Sequence, residues 1–151
     1  MHQDVVILVA EDDAGHAGLI RKNLARAGIV NEVMMFSDGQ EILDFLFLTG
    51  NGPHREPKTG YVLLLDIRMP KVDGVQVLER VKADPELRKL PVVMITTTDD
   101  PREVDRCHEL GCASYITKPI DYDSFVNAVR QLGLFLAVVQ VPTINGDEGA
   151  E

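Results

Sequence analysis

Five short apolar segments alternate with longer segments of helical period, and this alternation constrains the fold more than any other feature of the sequence. Strands joined through helices in this way form a parallel sheet, because each helix carries the chain back to the edge where the next strand starts. We therefore predict an α/β domain with a five-stranded parallel sheet. The predicted strands are VVILVA (5–10), EVMMF (32–36), YVLLLD (61–66), PVVMIT (91–96) and ASYITK (113–118).

Composition narrows the class of protein. A chain of 151 residues that is 45% hydrophobic and 26% charged fits one compact soluble domain. The net charge of −9 argues against direct contact with nucleic acid, since such binding requires lysine and arginine at the phosphates. No segment approaches the roughly 18 apolar residues of a membrane span, and no basic leader opens the chain. We expect a cytoplasmic protein with no membrane contact, in which Cys107 and Cys112 are buried apolar groups.

Polar side chains follow the predicted strands at the point where each one ends. The first strand is followed by Glu11 and Asp12, the third ends in Asp66, the fourth in Thr96 and the fifth in Lys118. The carboxyl ends of parallel strands meet at one edge, where open α/β sheets bind ligands. Clustered carboxylates need a compensating cation, and an all-oxygen ligand set suits Mg²⁺. Such a site with a lysine can stabilise a phosphoryl group, and one carboxylate can act as its nucleophile.

These residues, at this spacing, resemble the receiver domain of two-component response regulators. The matching motifs are the Glu11-Asp12 pair after ILVA, Asp66 in LLLDIRMPKVDG, Thr96 in VVMITT, and Lys118-Pro119 in YITKP. The resemblance implies a flavodoxin-like, doubly wound fold with strand order 2-1-3-4-5 and five helices. It places the receiver domain over 1–136.

The resemblance also implies a role for each site residue. Asp66 is the expected acceptor of a phosphoryl group from a histidine kinase. Mg²⁺ is expected to bind Glu11, Asp12, Asp66 and the backbone carbonyl of Arg68. Lys118 is expected to neutralise a phosphoryl oxygen. A receiver of this kind catalyses only its own phosphorylation and dephosphorylation, so we do not expect an enzyme acting on other substrates.

Further positions carry expectations from the same resemblance. Thr96 is expected to bond a phosphoryl oxygen and, with the aromatic Tyr115, to form the conformational switch. Thr97 and Arg68 border the path of the attacking water, and we predict that they tune autodephosphorylation. The bond between Lys118 and Pro119 is expected to be cis, as it is in the family.

A narrower resemblance is to the stand-alone regulators that accompany bacterial and cyanobacterial phytochromes. It depends on the long loop at 49–60, on ADPELRKLPVV, on the ITTT and YITKPID runs, and on the apolar tail FLAVVQVP. It implies a phytochrome kinase as partner and a homodimer formed through the last helix and tail. The loop is expected to be either a tolerated surface insertion or a partner contact near the site.

The C-terminal tail, 137–151, has two interpretations. Its apolar part, 137–142, continues from the last helix, and the residues beyond it are polar and expected to be mobile. Leu136, Val138 and Val141 could supply the apolar contact of a dimer. Alternatively, the tail folds back on its own domain.

Two other functions remain open. A pseudo-receiver would keep the fold without phosphorylation, but such a protein is expected to lack an acid, the acceptor or the lysine. A phosphatase of the haloacid-dehalogenase type also forms an aspartyl phosphate with Mg²⁺. Those enzymes carry an acid two residues after the nucleophile, where this chain has Arg68.

Overall fold

The computed structural model describes residues 1–144, which form a central parallel sheet covered by helices on both faces. The strands are β1 (Val6–Ala10), β2 (Val33–Phe36), β3 (Thr59–Leu65), β4 (Val92–Thr96), β5 (Ser114–Thr117) and β6 (Thr143–Ile144). The helices are α1 (Ala14–Arg26), α2 (Gly39–Phe47), α3 (Gly74–Ala83), α4 (Pro101–Leu110) and α5 (Tyr122–Val138), with a 3-10 turn at Leu87–Lys89. The five parallel strands lie in the order β2-β1-β3-β4-β5, which confirms the predicted doubly wound, flavodoxin-like topology.

The core lies in two layers, one on each face of the sheet. Along β1, Ile7 and Val9 pack in the layer formed with α1 and α5, whereas Leu8 and Ala10 pack in the layer formed with α2, α3 and α4. All four are at most 1% exposed, as expected of a central strand whose alternate side chains enter both layers. Burying one such aliphatic side chain contributes about 1.5–3 kcal/mol, so this strand is held rigidly in place.

Each of the five α-helices begins after an aspartate whose side chain accepts a hydrogen bond from a backbone N–H of the first turn. The N-caps are Asp13, Asp38, Asp73, Asp100 and Asp121. A cap of this kind stabilises a helix by about 1 kcal/mol. Part of the acidic composition therefore fixes where helices start, on the carboxyl side of the strands.

The C-terminal tail folds back on its own domain. Helix α5 continues past residue 136 to Val138, and β6 then pairs antiparallel with Thr59 and Gly60 at the start of β3. The segment expected to be polar and mobile starts with Thr143, which is exposed, and Ile144, which is completely buried. A two-residue strand is too short to show a periodic pattern in the sequence, and only its pairing with β3 in the structure defines it. The remainder of the expected mobile segment, 145–151, lies outside the described residues.

The loop between α2 and β3 is anchored to the domain at several points. Arg55 donates from its backbone N–H to the carbonyl of Phe45 and from Nε to the carbonyl of Leu46, over 3.0 and 2.7 Å. The backbone N–H of Glu56 donates to the hydroxyl of Tyr61 over 2.9 Å. These bonds connect the end of α2 to the start of β3.

Within residues 1–144, no helix has the length and hydropathy required to cross a bilayer.

Candidate functional site

The register of the sheet brings two acidic residues side by side at its carboxyl edge. In the parallel pairing of β1 with β3, Ala10 lies opposite Leu65, and the backbone N–H of Asp66 donates to the carbonyl of Ala10 over 3.0 Å. The next residues along both strands are Glu11 and Asp66. The backbone therefore sets their separation before any side-chain contact forms.

Three predicted metal ligands meet at this edge. Carboxylate oxygens of Glu11, Asp12 and Asp66 all lie within 4.8 Å of one another. Glu11 and Asp66 are only 4% and 5% exposed, whereas Asp12 faces solvent. Burial, reinforced by the charge on Asp66, raises the pKa of Glu11 from 4.5 to about 7, against the opposing effect of Lys118. A set of hard oxygen ligands with excess negative charge fits a divalent cation such as Mg²⁺.

Lys118 supplies a buried positive charge to the same cluster. Its ammonium forms ion pairs with Glu11 and with Asp66, where Nζ lies 3.4 Å from Oδ2. Its position is set by the pairing of β5 with β4, since its backbone N–H donates to the carbonyl of Thr96 over 2.6 Å. One ammonium does not neutralise three carboxylates, so the cluster retains the charge that a cation would balance.

Two buried oxygens of the site have no hydrogen-bond partner within the part of the chain that the structure describes. They are Oδ1 of Asp66 and Oγ1 of Thr96. An unsatisfied buried polar atom costs about 1–3 kcal/mol, so a fold retains such atoms at places where a ligand satisfies them. A carboxylate oxygen can bind a cation, and a hydroxyl can donate to an anionic oxygen. The two oxygens therefore match the acceptor and phosphoryl-binding roles predicted for these residues.

The loop after Asp66 is held close to the backbone of Asp66 itself. The backbone N–H of Gly74 donates to the carbonyl of Ile67 over 2.7 Å, and a Cβ at Gly74 would overlap the carbonyl of Asp66. Lys71 adopts a left-handed backbone (φ 69°) and its ammonium lies 3.4 Å from Asp38. Glycine at position 74 is thus required by close approach, and the loop presents Asp66 from a fixed backbone.

The remaining predicted residues lie around this centre. Tyr115 is half-buried and donates from its hydroxyl to the carbonyl of Thr98 over 2.8 Å. Thr97 and Arg68 both have exposed side chains beside the site. The bond before Pro119 is trans, because none of the described peptide bonds is cis, so the expected cis bond is wrong for this structure. The two isomers of such a bond differ by only about 0.5–1 kcal/mol, so the family resemblance did not fix the isomer.

One residue of the site was missed by the sequence reasoning. His16, in the first turn of α1, lies with Nδ1 3.1 Å from Nζ of Lys118. The sequence places His16 one helical turn after the acidic pair. Side chains in a helix tilt toward its N-terminus, so a residue at this position points back toward the strand ends. His16 forms no recognised motif with the other three histidines of the chain, so the sequence alone does not single it out.

Residues 7–130 match the family described as the response regulator receiver domain. The chain belongs to this family. A solved receiver domain from Rhodospirillum rubrum is 47% identical to it, covers 93% of this chain and 99% of its own, and superposes with a TM-score of 0.87. The flavodoxin-like receiver architecture is therefore shown by both sequence and structure.

Two further relatives are response regulators of similar length. Response regulator Rcp1 of Synechocystis is 30% identical over 138 residues, which cover 91% of this chain and 92% of Rcp1. The Mn²⁺-bound structure of Rcp1 superposes with a TM-score of 0.81. The phosphorylated cyanobacterial phytochrome response regulator RcpA is 29% identical, covers 94% of this chain and 99% of its own, and has a TM-score of 0.81. The receiver is thus related to stand-alone phytochrome response regulators.

Proposed function

We propose that this receiver accepts a phosphoryl group on Asp66 from a histidine kinase and signals through contacts with other proteins. The observation that carries the proposal is the pair of buried oxygens on Asp66 and Thr96, which have no hydrogen-bond partner within residues 1–144, together with the Lys118 ammonium paired to Asp66. A site built only for stability would have paired those oxygens.

The acidic cluster holds the cation that the transfer requires. We assign Mg²⁺ to Glu11, Asp12, Asp66 and the backbone carbonyl of Arg68. The ion supplies positive charge that offsets the charge of the phosphoryl oxygens when it is bound. Asp12, the exposed member of the set, leaves the cluster open to solvent on the side from which ion and donor enter.

The chain's own residues then position and stabilise the reacting group. A carboxylate oxygen of Asp66 attacks phosphorus, the bond from phosphorus to the donor nitrogen breaks, and the kinase histidine leaves with the electron pair. Lys118, already 3.4 Å from Asp66, neutralises a phosphoryl oxygen. The hydroxyl of Thr96 donates to another, which satisfies its buried oxygen. Movement of Thr96 toward the phosphoryl group frees space into which Tyr115 turns, giving up its bond to Thr98.

Phosphorylation by a small donor tests the acceptor. With acetyl phosphate and Mg²⁺, we expect intact mass spectrometry to show one added phosphoryl group on the wild type and none on Asp66→Asn. Asp105→Asn makes the same chemical change at an exposed position of α4 and should still be phosphorylated. An adduct that persists in Asp66→Asn would overturn the assignment of the acceptor.

The same experiment separates the two other functions. Absence of any adduct on the wild type would support a pseudo-receiver, and rapid continuous release of phosphate would support a phosphatase. The intact set of acids, acceptor and lysine in one cluster disfavours the first. The exposed Arg68, at the place where the phosphatases carry an acid, disfavours the second.

The proposed kinase is a phytochrome. The support is the relationship to the phytochrome regulator RcpA and to the bacteriophytochrome response regulator RtBRR, which is 38% identical with a TM-score of 0.71. Phosphotransfer profiling against a panel of histidine kinases that includes a phytochrome kinase tests it. Rapid transfer from the phytochrome alone is expected, and failure to accept from it would refute this partner while leaving Asp66 as the acceptor.

We also propose a homodimer through α5, formed by residues that differ in part from those predicted from the sequence. Of the three tail residues expected to form the contact, Leu136 is buried and Val141 packs against the core, whereas Val138 is 73% exposed. Leu134 and Phe135 are 62% and 50% exposed on the same helix and extend the apolar face. We expect Phe135→Ser to weaken self-association in sedimentation velocity, and Glu109→Ser, an exposed polar control on α4, to leave it unchanged.

A further inference from the structure

His16 is held against the phosphorylation site from several directions. Its Nδ1 lies 3.1 Å from Nζ of Lys118, and its ring meets the ring of Phe125 edge-on, with centroids 5.4 Å apart at 76°. The backbone N–H of His16 donates to Oδ1 of Asp13, the N-cap of α1. The side chain is 35% exposed, so one edge of the ring stays open to solvent. Helix α1 on one side and α5 on the other therefore fix the imidazole beside the ammonium.

The chemistry of the two groups fixes the tautomer of His16. A lysine ammonium has three N–H donors and no lone pair, so Nδ1 must be the acceptor of this hydrogen bond. The ring is then neutral and carries its proton on Nε2. The carboxylate of Asp13 lies 4.0 Å from Nδ1, beyond hydrogen-bond distance, and does not compete for that nitrogen.

The Lys118 ammonium has three hydrogen-bond acceptors, and His16 is the one that is not a carboxylate. The other two, Glu11 and Asp66, are charged and belong to the set assigned to the cation. A divalent ion draws on the same two carboxylates that hold the lysine. His16 is uncharged and is not among the clustered ligands, so its bond to Lys118 does not compete with the ion.

We propose that His16 is a positioning residue that keeps the Lys118 ammonium beside Asp66 while the carboxylates bind the cation. The ammonium then meets the incoming phosphoryl oxygen without first having to be reordered. His16 touches neither the acceptor nor the phosphoryl group in this role and acts through Lys118. The inference rests on the proposed function, because it assigns a partner to the lysine of that same site.

Two substitutions separate positioning from simple packing. His16→Leu fills the space without an acceptor, whereas the amide oxygen of His16→Asn can occupy the place of Nδ1. A hydrogen bond to a charged group is typically worth about tenfold in an equilibrium or a rate. We expect the initial rate of phosphorylation by acetyl phosphate with Mg²⁺ to fall about tenfold in His16→Leu and to stay within about twofold of the wild type in His16→Asn. His2→Leu, a histidine replacement at an exposed position remote from the site, serves as control.

A measurement independent of phosphorylation reads the hydrogen bond directly. Long-range ¹H–¹⁵N correlation spectra of the protein distinguish the two imidazole tautomers. We expect the Nε2–H form for His16 both before and after addition of Mg²⁺. A ring protonated on Nδ1 would overturn the proposal, as would a wild-type rate in His16→Leu or an equally slow rate in His16→Asn. If the wild type itself is not phosphorylated, the proposed function fails. In that case the tautomer measurement alone tests the hydrogen bond between His16 and Lys118.

Discussion

Replacing Glu11 by glutamine should remove a pH-dependent part of the stability of the protein free of metal. The pKa of Glu11 is raised to about 7 in the folded protein, compared with 4.5 for an ordinary glutamate. The folded state therefore binds a proton that the unfolded chain does not, and it gains stability as the pH falls below 7. Conversely, this contribution is lost as the pH rises through 7.

The size of the effect follows from these two pKa values. At 1.36 kcal/mol per pKa unit, the free energy of unfolding should fall by about 2.5 kcal/mol between pH 5 and pH 8 because of Glu11 alone. The residue is 4% exposed, so solvent does little to screen it. Glutamine cannot titrate, and Glu11→Gln should lack this part of the decline.

Urea unfolding at pH 5, 6, 7 and 8 in the presence of a chelator measures the difference. All other titrating groups are shared, so subtracting the two curves isolates Glu11. The changed contact with Lys118 will also shift the curve of the variant, but only a change in slope reports the titration. Parallel curves for the two proteins would refute the reasoning.

The same proton should compete with the cation. Binding of Mg²⁺ requires the ionised carboxylate, so a pKa of about 7 predicts an affinity about tenfold weaker at pH 6 than at pH 8. Calorimetric titration of the wild type should show this dependence, and Glu11→Gln should bind more weakly at both pH values without it.

Three further predictions concern kinetics and stability. In Thr97→Ala we expect a changed lifetime of the acyl phosphate with phosphorylation retained, because this exposed side chain is predicted to border the path of the attacking water. An unchanged decay measured by mass spectrometry would count against this prediction. Gly74→Ala places a methyl group against the carbonyl of Asp66 and should cost about 1–3 kcal/mol in urea unfolding, and a neutral result would mean that the loop can move away. Ile144→Ala should cost about 2–5 kcal/mol because this tail residue is fully buried, whereas Thr143→Ala on the exposed side of β6 should change stability little; equal effects would contradict the docking of the tail.

Much of the fold follows from local patterns in the sequence. Strand β1 is apolar over its whole length and β3 is apolar from Tyr61 onward, so the order and approximate bounds of the five parallel strands could be predicted. The site followed in turn, because a parallel sheet brings the ends of its strands to one edge. Glu11, Asp66 and Lys118 were therefore predicted together from residues that are far apart in sequence.

The features that were missed depend on contacts between distant segments. Strand β6 is two residues long and is defined by its pairing with Thr59 and Gly60. His16 is one polar residue in a helix, and its role depends on the position of Lys118, more than a hundred residues later. The two isomers of an X-Pro bond differ little in intrinsic energy, so no local rule decides the isomer before Pro119.

The first two residues of β3 extend beyond the region where β3 pairs with the other parallel strands, and β6 pairs with them. Tyr61 is the first residue of β3 paired with β1, so Thr59 and Gly60 project beyond the parallel sheet. Unpaired N–H and C=O groups at such an end would offer a template for a strand of another molecule. Pairing with Thr143 and Ile144 occupies those groups within the same chain. We therefore expect loss of the short tail strand to show first as aggregation at high protein concentration.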